Sequence, residues 1–135
     1  MGHPTIYPTG VTVYNPEKCW NGFTIFQALE VGAVLMNMNG RENKVWKGVH
    51  GFPNKIFPGG YLMTSRGSRD GRYGVQDGLD LVQIDWDGNV VWKFDRNEYI
   101  EDPGIPGRWM ARSHHDYQRE GSTTGYYAPG MEPKT

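Results

Sequence analysis

The densest chemistry in this sequence lies between Trp109 and Gly121, in Trp-Met-Ala-Arg-Ser-His-His-Asp-Tyr-Gln-Arg-Glu-Gly. Arg112, His114, His115, Asp116, Tyr117, Arg119 and Glu120 fall within nine residues. A neutral imidazole can attack or take a proton near pH 7, and a guanidinium beside it can steady an anionic transferring or leaving group. In an extended segment His114 and His115 point to opposite faces, so one of them alone serves a given site. We assign that place to His115, with Asp116 fixing its tautomer, and expect His114 to face away. Arg112, His115 and a third residue, His50, form the expected catalytic set.

His50 enters through an internal repeat. His50 is followed ten residues later by Gly60-Tyr61, and His115 ten residues later by Gly125-Tyr126. Histidines in one repeated slot would line one face of a shared channel. Arg66, Asn54, Asp116 and Tyr117 are the expected substrate-binding residues, because guanidinium pairs bidentately with sulfate, phosphate or carboxylate. Arg69 and Arg72 lie in the polar stretch Gly67–Gly78 and read as solvated loop residues. His50, His115 and Asp116 are also permitted metal ligands, so a metal ion is possible but not required.

The elements that must carry these residues read as strands. Leu81 to Trp86 alternates with period two, Asp87-Gly88 suits a tight type I′ turn, and Asn89 to Phe94 returns with Trp92 as its apolar anchor. Val34 to Met38 and Lys44 to Trp46 repeat that hairpin, with a turn two residues longer, and the Val-Trp-Lys of residues 45–47 recurs at 91–93. Gly22 to Phe26 and Tyr61 to Ser65 are further strands, Val11 to Tyr14 is a possible edge strand, and 96–108 is irregular. Repetition over about 40–65 residues with several strands per unit predicts an all-β protein made of β-propeller blades. The division is an N-terminal arm and edge strand over 1–21, a first blade over 22–60, a second over 61–124, and entry to a further blade over 125–135. That is material for two to three blades, so the rest of the ring must come from a second chain or from the remainder of a longer polypeptide.

The 135-residue composition agrees with an all-β reading. Aromatic residues make up 13%, and 19 glycines and 9 prolines punctuate the chain. A net charge of −1 without a basic stripe argues against nucleic acid, and no apolar run is long enough for a membrane-spanning helix. The single cysteine, Cys19, excludes an intrachain disulfide, which points to the cytoplasm, and we expect it to be packed as a small hydrophobe.

Several segments together are similar to the arylsulfotransferase (aryl-sulfate sulfotransferase) family. They are Gly10 to Lys18, Gly22 to Phe26, Met38-Asn-Gly with Val45-Trp46, Phe57-Pro-Gly-Gly-Tyr-Leu, Val82 to Trp92 and His114-His115-Asp116. The resemblance runs from about Val11 to Met131. It implies the N-terminal portion of a six-bladed β-propeller enzyme. Such an enzyme moves a sulfuryl group from one phenol to another through a histidine intermediate, without a nucleotide donor. His115 matches the channel-facing histidine of the family's His-His-Asp segment. The substrate expected is a small aromatic or anionic molecule. The alternatives are a metal-assisted lyase or hydrolase on the same scaffold, and a non-catalytic propeller platform.

Overall fold

The computed structural model describes residues 11–74 and 77–117; the Gly125-Tyr126 motif and the entry to a further blade lie outside the described residues. The chain is all-β. Among the described residues nine strands run in order as β1 (Phe23–Ala28), β2 (Gly32–Asn37), β3 (Glu42–Lys47), β4 (Lys55–Phe57), β5 (Tyr61–Thr64), β6 (Val82–Ile84), β7 (Val90–Lys93), β8 (Glu98–Asp102) and β9 (Ile105–Met110). Among the described residues the one helical element, α1 (Gly71–Gly74), is a single turn. The strands form three antiparallel sheets in sequence order: β1-β2-β3, β4-β5-β6-β7 and β8-β9. Among the described residues no helix is long and apolar enough to cross a membrane.

The two larger sheets are built on one template. In the first, Val34 pairs with Val45, Leu35 with Lys44 and Met36 with Glu42; in the second, Val82 pairs with Lys93, Gln83 with Trp92 and Ile84 with Val90. Each pair recurs 48 residues on (34 to 82, 45 to 93), and the same register shift precedes each turn. The turns are alike too. The Asn37 side chain accepts the backbone N–H groups of Asn39 and Arg41, both at 3.0 Å. Asp85 accepts those of Asp87 and Asn89, at 3.0 and 2.8 Å. In each turn only the glycine, Gly40 or Gly88, has left-handed φ, at 72° and 91°. The expected type I′ turn at Asp87-Gly88 is therefore a three-residue turn with glycine at its αL position. The two turns have equal length, so the Val-Trp-Lys match is out of step by two residues. Trp92 takes the place of Lys44, and Phe94, whose N–H donates to Leu81 O, takes the place of Trp46. The same comparison sets β1 against β5, since Thr24 pairs with Met36 as Leu62 pairs with Ile84. Among the described residues, nothing stands beside β1 as β4 stands beside β5, and the sheets do not close on one another.

Alternation along the four-stranded sheet divides the core. Leu62, Val82 and Ile84 pack on Ala33, Leu35 and Trp46 of the first sheet, with Val49 between them. Phe57, Met63 and Leu81 face the other way and are covered by Trp92, Phe94, Ala111 and Tyr117. Trp46 is 4% exposed, and its indole N–H donates to Asp85 O at 3.2 Å. Such pairing is what allows a buried indole to lose water without an unmet donor.

Three expectations fail here. Residues 11–14 form no strand, and Val13 is 83% exposed. Cys19 is an exposed free thiol, not a packed one. Residues 96–108 are not irregular; they make the β8-β9 hairpin. That hairpin interrupts the path of β7. Phe94 bonds to Leu81 O, and Ala111, after the hairpin, resumes the ladder on Leu79 O, both at 2.9 Å.

Candidate active site

The segment after β9 is tied to the four-stranded sheet by its backbone. Arg112 N–H donates to Gly78 O at 3.0 Å, and Gly78 N–H to Ser113 O at 2.8 Å. The approach is close: a Cβ on Gly78 would lie 2.4 Å from Ser113 Oγ. Yet the segment is not extended. Arg112 and His115 have φ of 53° and 62°, a region that costs a non-glycine residue about 1–3 kcal/mol. These two residues bend the chain and cancel the strand alternation. His114 and His115 consequently meet edge to face, with ring centroids 4.2 Å apart, instead of pointing to opposite faces.

His114, not His115, has the carboxylate. Its Nδ1 lies 3.1 Å from Asp77 Oδ1. A neutral ring donating Nδ1–H there carries its lone pair on Nε2, the form a base or nucleophile needs. Asp77 is itself held from the other side. Its Oδ2 accepts Arg69 at 3.1 Å and lies 4.0 Å from Arg112 Nε. Arg69 also forks onto Asp102, and Arg112 donates to Glu98 at 3.1 Å. The side chains of Arg69, Asp77 and Asp102 are only 17%, 13% and 9% exposed, whereas that of His114 is 44% exposed. The arrangement is a histidine presented to solvent on a fixed ionic base.

The other expected site residues are placed differently. His115 is exposed and sits against Phe52, with centroids 5.5 Å apart. His50 is exposed, its N–H bonded to Ser65 O at 2.6 Å, and no described hydrogen bond or ring contact joins it to His115. Asp116 turns to Lys55, 2.6 Å away, so it does not orient His115. Tyr117 is an anchor: its hydroxyl donates to Met63 O at 2.7 Å and contacts Pro53 O, and burial pushes its pKa up. Asn54 is buried and used at both ends, donating to Gln27 at 2.9 Å and accepting from Thr64 at 2.7 Å. Arg66 bonds to Asp80 through Nε and NH2, both at 2.8 Å. Arg72 is the surface residue expected, paired locally with Asp70; Arg69 is not, because it is largely buried in the ionic base. Among the described residues no three of His, Cys, Asp and Glu converge as a metal ion would require, so His50, His115 and Asp116 do not form such a group.

Sequence reasoning missed Asp77. One signal was present: Arg66, Arg69, Asp70, Arg72, Asp77 and Asp80 are opposite charges in one stretch, the composition of mutual pairs more than of a solvated loop.

The ionic base sets an acid limit. Hydrogen bonding by Arg69 holds the Asp102 carboxyl below its usual range, and Lys55 does the same to Asp116. A depressed carboxylate contributes stability that is fully present above the unfolded-state pKa of about 3.9 and is lost as pH falls through the folded value. We expect unfolding midpoints to drop steeply below about pH 4. Asp102→Asn should flatten that limb in pH-dependent denaturation curves, and an unchanged limb would mean that Asp102 is not a source of it.

Comparison with protein-family models, curated proteins and solved structures finds no match to this chain.

Proposed function

We propose that the chain supplies blades of an arylsulfotransferase-like β-propeller enzyme, and that the His114–His115 pair carries the sulfuryl group. The carrying observation is the Asp77–His114 contact at 3.1 Å with Arg112 alongside. In the first half-reaction an imidazole Nε2 lone pair attacks the sulfur of an aryl sulfate. The S–O bond to the ring breaks, and the phenolate leaves and takes a proton from water. In the second, an acceptor phenol gives its proton to the hydroxide left in solvent by the first step as its oxygen attacks the same sulfur, and the N–S bond breaks and returns its electron pair to Nε2. Arg112 offsets charge on the sulfuryl oxygens. The sequence resemblance and the repeated meander of the two larger sheets support a propeller. The open outer edge of β1 among the described residues supports completion by a second chain or by further blades of a longer polypeptide. A lone exposed thiol suits the cytoplasm.

Incubating the native protein with an aryl sulfate and mapping its peptides tests this. One sulfuryl group on the peptide holding His114 and His115, discharged by added phenol, is expected. An unlabelled protein that also releases no phenol overturns the reading. A second reading, a propeller platform without catalysis, is favoured by the exposed Tyr99–Trp109 pair on the β8-β9 hairpin, 51% and 66% exposed with centroids 5.6 Å apart. Native mass measurement with size exclusion addresses the missing blades: a compact 15.3 kDa monomer with every strand paired would defeat that part.

A further inference from the structure

We propose that the cleft between β3 and the β6-β7 turn is a binding site for a small molecule bearing a phosphate or sulfate group. It has a volume of about 390 Å³ and shares no lining residue with the histidine cluster. Lys44, Lys47 and Arg66 line it, against one carboxylate, Asp87. Among the described residues neither lysine has a carboxylate within ion-pair distance. With Arg66 paired to Asp80, the cleft thus sets two lysines against the single carboxylate of Asp87, an excess of positive charge beside the apolar walls of Val45, Val49 and Ile84. Low-dielectric walls strengthen the attraction of such charges for an anion.

Two of the three cations are also ordered in advance. Lys44 Nζ stands 5.8 Å from the Trp46 ring centroid and 5.3 Å from that of Trp86, and these rings meet edge to face at 5.4 Å. Arg66 is oriented by its two bonds to Asp80. Fixing the groups before the ligand arrives reduces the entropy lost on binding. Gly48 and Gly88, which both line the cleft, have left-handed φ of 71° and 91° and open space where a side chain would stand, so backbone is accessible there. A tetrahedral oxyanion would fill a fraction of the volume, which leaves the apolar walls for the group esterified to it. Arg66, expected from sequence to hold an anionic substrate, keeps that role here, with lysines as its partners in place of histidines.

The test is an amide and indole NMR titration of the native protein with inorganic phosphate, then inorganic sulfate, at ionic strength held constant with sodium chloride. Saturable shifts centred on Gly48, Gly88 and the Trp46 indole are expected. The double variant Lys44→Met/Lys47→Met should weaken binding at least about tenfold, as two charge-assisted contacts of this kind imply. Lys47→Met alone, at an exposed position, should weaken it measurably and keeps the test open if loss of Lys44 disturbs the tryptophan pair. Preference between the two anions identifies which ester the site takes. Shifts that never saturate, parent-like affinity in Lys47→Met, or shifts centred on Arg112 and His114 would overturn the assignment.

Discussion

Trp46→Ala should cost the fold about 3–5 kcal/mol, the usual loss on truncating a buried large aromatic residue. Trp46 joins the two larger sheets: it packs with Leu62, Val82 and Ile84 across the interface and spends its indole N–H on Asp85 O. Trp92 has no equal claim. It occupies the Lys44 register position and lies at the margin of the second cluster, half-buried. The structure therefore reverses the sequence-based ranking, in which Trp92 was the aromatic anchor. Urea denaturation of Trp46→Ala and Trp92→Ala compares them directly, and Trp46→Phe should fall between, since it loses the hydrogen bond, worth about 1 kcal/mol, and some area. Equal losses at 46 and 92 would refute this ranking.

On the proposed sulfuryl transfer, Asp77→Asn should lower turnover by as much as roughly 10⁴-fold, the scale of losing the carboxylate that fixes a catalytic histidine's tautomer. The replacement amide has the same size, but it could not require Nδ1–H of His114. Nitrogen chemical shifts of the His114 ring should show a change of tautomer, and turnover should fall while KM stays close to that of the parent. A purely structural role would lower stability without a change of tautomer. His114→Ala and His115→Ala complete the comparison. On the geometry, loss of His114 should be at least as severe as loss of Asp77. If Asp77→Asn keeps full turnover while His115→Ala abolishes it, the bearer is His115, as the sequence resemblance implies, and the carboxylate contact is only structural.

The strands were legible because their signals are local. Alternation and a glycine turn are enough to place Val82–Ile84 against Val90–Lys93, and Gly32–Asn37 against Glu42–Lys47. Register was less legible. Two Val-Trp-Lys strings look equivalent in sequence, but the side chains of Asn37 and Asp85, each closing its own turn, set the true frame. The β8-β9 hairpin was unreadable for a different reason: Pro103-Gly104 and Pro106-Gly107 carry loop composition, and pairing with a partner strand overrides it. The site was half legible. The segment with Arg112 and both histidines stood out by residue type. Its orientation did not, because two non-glycine residues at positive φ are enforced by tertiary contacts, and the orienting Asp77 lies 37 residues away in sequence.

The β8-β9 hairpin carries an evolutionary consequence. It is spliced into a ladder that closes on either side of it, at Leu81 and at Leu79, so its ends leave and rejoin the sheet almost at one point. Insertions of that kind are tolerated because the host framework need not move. Yet the hairpin delivers Asp102 to Arg69 and Glu98 to Arg112, which between them hold Asp77. Two layers of the molecule can thus diverge at different speeds. The sheets are constrained by packing, while an exchangeable module retunes the charge behind the histidines.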